Sequence, residues 1–307
     1  EIAANDKLLL EEITSWHRSH GGNWNSHFSS SKEINKKNIN KLKLAWKYSS
    51  IDKNDLDKKW IENIQVNPIF IDEKIILITA DWKIVALDAK DGSLIWEIQS
   101  LFAPSRRGIL AYSDKGINYL ILPIANKVYK ININNGKLEK NFGSRGYIEA
   151  KSNLAPMIYN KSLVIVSTKG AVETFELYSG NKLNEIMIHD KKNFSGGVPW
   201  GGAAIDIKKG IVFVVTGNPR PGLYGVNRPG SNKNSSSIVA IDLNDKKIKW
   251  AFQDVPHDLW DYDIASPPII HNLKINKQYY EVVIALTKTG NVLMLERNSG
   301  EPIFDLV

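Results

Sequence analysis

Apolar and polar residues alternate with a period of two over most of this chain, the spacing that sends successive side chains to opposite faces of an extended strand. "NPIFIDEKIILITA" (67–80) and "APMIYNKSLVIVST" (155–168) each read as two strands joined by a short polar turn. After such pairs comes a recurring element: "VALDAKDGSLIWEI" (85–98), "YKININNGKLEKNF" (129–142), "TFELYSGNKLNEIM" (174–187), "VAIDLNDKKIKWAF" (239–252) and "LMLERNSGEPIFDL" (293–306). Each runs from an alternating strand into a polar turn, usually closed by glycine (Gly92, Gly136, Gly180, Gly300), and on into a second strand. Glycine supplies the positive φ of a tight hairpin turn.

A large residue follows four positions after the turn in three copies (Trp96, Trp250, Phe304), and a partial sixth copy, "INKLKLAWKY", ends near Trp46. Gly92, Gly136 and Gly180 recur every 44 residues. Four antiparallel strands in about 45 residues is the repeat of a β-propeller blade. The expected fold is therefore all-β, a β-propeller of four-stranded antiparallel blades forming one domain over 1–307. The aromatic residue late in each unit is expected to pack between adjacent blades. Only residues 3–14 carry a helical pattern.

Composition narrows the partners. At 43% apolar content and 307 residues the chain can bury a sizeable core. No run approaches the roughly 18 to 20 apolar residues of a membrane-spanning helix, so no membrane span is expected. The N-terminal residues lack the pattern of a signal peptide, and the absence of an initial methionine suggests processing or truncation. There is no cysteine, which excludes disulfides and thiolate metal sites. The net charge of +7 comes from lysines scattered singly among asparagine and isoleucine, which reads as a solvated surface, so no nucleic-acid partner is expected.

The repeats, the opening "NWNSHFSSSKEINKKNINKLKLAW", and the ordered motifs "PWGG", "TGNPRPG", "NSSSIVAIDL", "HDLWDYD" and "TKTGNVLMLERNSG" together resemble the pyrroloquinoline quinone (PQQ) dependent quinoprotein dehydrogenases, most closely the glucose or aldose branch. The resemblance runs through the chain in order. It implies an eight-bladed propeller of which this chain, with about five units, is the N-terminal part. It also implies a periplasmic enzyme that oxidises a sugar or alcohol and passes electrons to a quinone or cytochrome, with PQQ and a divalent cation, calcium or alternatively a lanthanide, as cofactors.

Site residues follow from the same resemblance. Asp261 matches the catalytic base, and Asp263 is expected to point the same way if the stretch is extended, as a further metal ligand. Asn218 in "TGNP" matches an amide metal ligand beside the cofactor, suited to a hard cation. Trp200 matches the indole on which the flat cofactor stacks, its neighbouring glycines permitting close approach. Arg107 in "SRRGI" matches an arginine pairing with a cofactor carboxylate. Lys288 matches a catalytic lysine at the quinone oxygens, and Gln65 is expected at the cofactor's edge. On residue types alone Asp261 and Asn218 are turn residues and Arg107 and Lys288 surface charges; the resemblance reverses that reading. His257 and Asp258 are expected to shape the turn.

The chain departs from the family pattern in three places. Adjacent cysteines before the arginine are replaced by "LFAPSRRG", the loop that supplies a metal-binding glutamate is shortened to "VSTKGAVETF", and "TADWK" stands where the glucose branch has a histidine. The competing reading is a non-catalytic propeller scaffold of the outer-membrane assembly type, which has no reason to assemble Trp200, Asn218, Asp261 and Lys288 together.

Overall fold

A computed structural model of the protein describes residues 15–50, 64–189 and 195–305; the helix expected over 3–14 lies outside them. Five antiparallel sheets follow one another along the chain. Blade 1 is β1 (Ile69–Ile71), β2 (Lys74–Ile78), β3 (Lys83–Asp88) and β4 (Leu94–Gln99). Blade 2 is β5 (Leu110–Asp114), β6 (Ile117–Ile124), β7 (Lys127–Asn132) and β8 (Tyr147–Glu149). Blade 3 is β9 (Met157–Tyr159), β10 (Ser162–Ser167), β11 (Ala171–Glu176) and β12 (Lys182–Met187). A short β13 (Ser195–Gly196) precedes blade 4, made of β14 (Pro199–Asp206), β15 (Ile211–Thr216), β17 (Ser237–Asp242) and β18 (Lys247–Gln253); β16 (Pro219–Arg220) pairs with β13 as a two-stranded ribbon. Blade 5 has β19 (Ile269–Ile275), β20 (Gln278–Leu286) and β21 (Val292–Glu296), with Pro302 bridging to Leu295 where a fourth strand would lie. No sheet among the described residues joins strands from both ends of the chain.

Alternation within each strand sorts side chains to the two neighbouring blades. In "IVFVV", Ile211, Phe213 and Val215 pack toward blade 5, whereas Val212 and Val214 pack toward blade 3. Leu120 and Leu122 likewise face blade 1 while Ile121 faces blade 3. Four apolar clusters fill the four junctions between successive blades, so the inner strands are buried on both faces and read as continuous apolar runs. The outer strands keep one wet face, as in β4.

Where the late aromatic is a tryptophan, it closes a junction by a hydrogen bond as well as by area. Trp46 Nε1 donates to Ala89 O (3.1 Å), Trp96 Nε1 to Ile133 O (2.6 Å) and Trp250 Nε1 to Arg297 O (3.1 Å), each reaching the β3–β4-type turn of the following blade. The glycine of that turn is needed twice over. Gly92 and Gly300 have φ of +73° and +79°, and a Cβ there would stand 2.5 Å from the Trp46 ring or 2.6 Å from the Trp250 ring. Phe304, the corresponding residue of blade 5, is 54% exposed.

Residues 16–25 act as a strap across the inner edges of all five blades. Trp16 O accepts from Phe70 N, His17 O from Ala111 N (2.7 Å), Asn23 O from Ile205 N (2.9 Å) and Trp24 O from Ile270 N (3.0 Å). Arg18, 1% exposed, donates to Pro156 O (2.9 Å), Ala155 O (3.1 Å), Ala203 O (2.9 Å), Gly22 O (3.0 Å) and Asn25 Oδ1 (2.6 Å). Asn25 Nδ2 in turn donates to Ala203 O and Pro268 O. The strap uses up the inner-edge carbonyls that would otherwise be buried without partners.

Candidate functional site

Blade 4 and the chain leading into blade 5 form a cavity of about 450 Å³ lined by Trp200, Gly217, Asn218, Arg220, Asp261, Asp263 and Lys288, among others. That volume lies in the range of small-molecule sites. Five of the residues singled out from the sequence, Trp200, Asn218, Asp261, Asp263 and Lys288, thus share one pocket.

A break in the sheet aims Trp200. The register of β14 against β15 shifts between Pro199 and Ala203, so Trp200, Gly201 and Gly202 leave the ladder together. Such bulges redirect side chains at sheet edges. Gly201 and Gly202 serve a purpose other than approach to a ligand: a Cβ there would stand 2.7 Å from Ile264 O or from Pro267 Cβ, so they admit the chain entering blade 5. Gly217 fits between Trp200 and Asp263, where a Cβ would lie 2.8 Å from Trp200 Nε1 and 2.6 Å from Asp263 Oδ1.

The stretch 257–263 is a turn, contrary to the extended conformation from which the alignment of Asp261 with Asp263 was reasoned. His257 and Asp261 have φ of +51° and +63°, the left-handed region that aspartate tolerates better than most residues. Asp258 builds the turn: fully buried, it accepts from Trp260 N (2.8 Å), Tyr262 N (2.7 Å) and Ser236 Oγ (3.1 Å). Buried Arg228 adds bonds to Pro221 O, Gly222 O and Asp258 O, tying the preceding loop to the same turn. His257 Nδ1 donates to Gly230 O (2.8 Å).

Both carboxylates nevertheless meet one cation. Lys288 Nζ donates to Asp261 Oδ2 (3.0 Å), Asp261 O (2.9 Å) and Asp263 Oδ2 (2.7 Å), which occupies all three of its protons. Desolvation lowers its pKa, but the hydrogen bonds to Asp263 and Asp261 and their charges outweigh this and hold it above the ordinary lysine value. The two aspartates differ in what is left over. Asp263 is buried and spent, Oδ2 on Lys288 and Oδ1 on the Asn218 N–H. Asp261 is 50% exposed, and its Oδ1 accepts no hydrogen bond among the described residues. Asp261 is therefore the carboxylate able to receive a proton from a ligand in the cavity.

Arg107 arrives from the blade 2 edge, its guanidinium carbon 4.8 Å from the Trp200 ring centroid, with Lys288 Nζ at 6.0 Å. Burial lowers the Arg107 pKa from its ordinary value. Gln65 is not brought here: exposed ahead of β1, it lines a separate narrow cleft with Trp82, Ser105 and Arg106, because it enters from blade 1 and its nearest neighbour is blade 2. Residues that sequence reasoning passed over are Arg220, Arg228 and the strap. The signal for Arg220 was visible, a charge set between two prolines in "NPRPG" beside a motif already chosen.

The donor set fits PQQ well and a cation in part. An indole between glycine walls, two cations over its ring, and a buried Asn218 Nδ2 without a partner suit a flat, polar, anionic molecule. For a metal the pocket offers oxygen donors from Asp261 and the Asn218 amide, which suit a hard cation, while both Asp263 oxygens are already bonded, to the Asn218 N–H and to Lys288. No group of three or more His, Cys, Asp or Glu able to hold a metal exists among the described residues. Glu173, from the shortened loop region, is buried against Lys182 (2.7 Å) and does not line the cavity.

His20, in the strap, donates from Nε2 to the Arg107 carbonyl (3.1 Å), and burial followed by the charge of Arg18 lowers its pKa to about 4. The unfolded chain takes up this proton near 6.5 and the folded one only near 4, so stability is fully present above 6.5 and is lost as pH falls through that window. The loss at full extent is about 3 kcal/mol. His20→Asn is expected to flatten the fall of the urea midpoint between pH 7 and 4.5; an unchanged pH slope would remove His20 from the account.

The chain matches the family described as PQQ: Glucose/ethanol/alcohol dehydrogenase, beta-propeller domain, over residues 16–174 and 174–307. It is 29% identical to the quinoprotein glucose dehydrogenase of Escherichia coli (strain K12) over 328 residues, covering 89% of this chain and 41% of that protein. It therefore spans less than half the length of that relative. The quinohemoprotein alcohol dehydrogenase from Comamonas testosteroni superposes with a TM-score of 0.77 at 19% identity, over 100% of this chain and 50% of the other. A europium-containing methanol dehydrogenase superposes with a TM-score of 0.76 at 18% identity, over 94% of this chain and 57% of the other. With the family match covering nearly all of the described blades, the chain belongs to the PQQ glucose/ethanol/alcohol dehydrogenase β-propeller family.

Proposed function

We propose that the full protein is a periplasmic PQQ-dependent dehydrogenase that oxidises a sugar (aldose) or an alcohol and passes the electrons to a quinone or cytochrome. The observation that carries this reading is the convergence of Trp200, Asn218, Asp261, Asp263 and Lys288 on one cavity. A non-catalytic scaffold with the same repeats has no use for a free carboxylate oxygen beside an ion-paired lysine and a half-buried indole.

When bound, PQQ supplies the acceptor for the hydride of the substrate carbon. The chain supplies the rest. Asp261 Oδ1 accepts the substrate's hydroxyl proton, the role of a general base within hydrogen-bond reach. Lys288 holds Asp261 in place through two bonds and Asp263 through a third, and any contact it makes to a bound carbonyl exchanges one of the three. Trp200 offers the stacking face, Arg107 a bidentate donor for a carboxylate, and Asn218 with Asp261 the oxygen donors for calcium or a lanthanide, which Asp263 would join by releasing Lys288.

Trp200→Ala in the full-length protein is expected to weaken PQQ binding by about 1 to 3 kcal/mol through lost stacking and burial. Activity then recovers in part when PQQ is raised. The check is titration of PQQ by absorbance alongside dye-linked oxidation of aldoses and short alcohols. Unaltered PQQ affinity in this variant would displace the cofactor from the indole.

A further inference from the structure

Arg220 stands at the mouth of the cavity, exposed, and among the described residues its guanidinium makes neither an ion pair nor a hydrogen bond. Every other cation at the site is engaged: Lys288 is held by Asp261 and Asp263, and Arg107 lies on the Trp200 ring. The stem of Arg220 is nevertheless placed. Its residue pairs with Ser195 in the β13–β16 ribbon, and Gly196 leaves room for it, since a Cβ there would lie 2.6 Å from Arg220 Cγ.

Arg220 and Asp261 also line a second, adjoining cavity of about 420 Å³, completed by Gly222 and Leu223. Trp200 and Lys288 line only the first. The Trp200 face thus belongs to the first cavity alone, while Asp261 and Arg220 line both and are the two side chains that the cavities share. A substrate with its reacting hydroxyl at Asp261 meets five unpaired N–H donors at its far end, a fork that matches a carboxylate or phosphate in two parallel bonds.

The geometry points to Arg220 as a specificity residue that selects substrates bearing an anionic group, a carboxylate on a sugar or polyol, over their neutral counterparts. This rests on the redox reading above and adds the substrate class. The same anion chemistry has a second source, a carboxylate of PQQ, and the experiment separates the two.

D-glucuronate and D-glucose present the same C1 hydroxyl and differ by the C6 carboxylate. With the full-length protein reconstituted with PQQ and calcium, kcat/KM for glucuronate is expected to exceed that for glucose. Arg220→Gln is expected to lower the glucuronate value by about 10- to 100-fold while leaving glucose within about twofold, and Arg220→Lys to fall between, since a point charge cannot form the paired bonds. Binding of glucuronate to the PQQ-free protein, followed by saturation-transfer NMR, should be lost in Arg220→Gln, and PQQ affinity should not change. Equal losses for both sugars, weakened PQQ binding in place of a substrate effect, or wild-type protein that binds glucuronate no better than glucose would each overturn the assignment. If the reconstituted protein oxidised no sugar or alcohol, the redox reading would fall, and the binding arm would still decide the role of Arg220.

Discussion

Asp261→Asn in the full-length protein is expected to lower turnover by about 10²- to 10⁴-fold with PQQ and metal saturating, the usual worth of a general base. The substitution keeps the side chain's shape and one oxygen for Lys288, so the turn at 257–263 should survive, held as it is by Asp258 and Arg228. PQQ binding should be close to that of the wild type. Asp263→Asn is the informative contrast. Asp263 has no oxygen to spare, one bonding the Asn218 N–H and the other Lys288, so its replacement disturbs the order of the site. It should appear as weaker cofactor binding and a lower unfolding midpoint, in place of a pure loss of kcat. Wild-type turnover in the Asp261 variant would remove Asp261 as the base.

Arg18→Met should cost about 3 to 5 kcal/mol of stability, a large share of the roughly 5 to 15 kcal/mol that a domain possesses. The guanidinium satisfies carbonyls on three elements, Gly22 in the strap, Ala155 and Pro156 entering blade 3, and Ala203 in blade 4. Methionine fills the volume and bonds none of them. A buried acceptor stripped of its donor costs about 1 to 3 kcal/mol, and among the described residues Ala203 O retains another side-chain partner, Asn25 Nδ2 (3.0 Å). Urea unfolding should show the midpoint falling with little change of slope, the signature of lost stability. Arg145→Met, at an exposed arginine, should move the midpoint little. Equal shifts in the two variants would show that the strap does not brace the blades.

The blades were legible in the residues because their signals are local. Period-two alternation, glycine in the closing turn and an aromatic four positions on are satisfied within one hairpin and its neighbour, and Trp96 and Trp250 bond the next blade's turn as that spacing implies. The identities of the pocket residues were legible only through resemblance, since a lone Asn218 or Lys288 has the same appearance in any turn. Asp258 could be assigned to the turn from its setting, and it bonds there.

What residue order left open is set by contacts far apart in sequence. Asp261 and Asp263 were expected to align through an extended backbone; they align because Lys288, on the turn after β20, draws both to one point across a kinked loop. Gln65 and Trp200 lie on blades three apart, and nothing local told that they would enter different clefts. Arg18 is a polar residue in a polar stretch until the carbonyls of blades 3 and 4 surround it. Secondary structure here follows from side-chain periodicity and turn chemistry, which act between near neighbours. The choice between a free and a spent carboxylate, or between a surface and a buried arginine, depends on which distant backbone groups need a partner, and that is decided only when the blades pack.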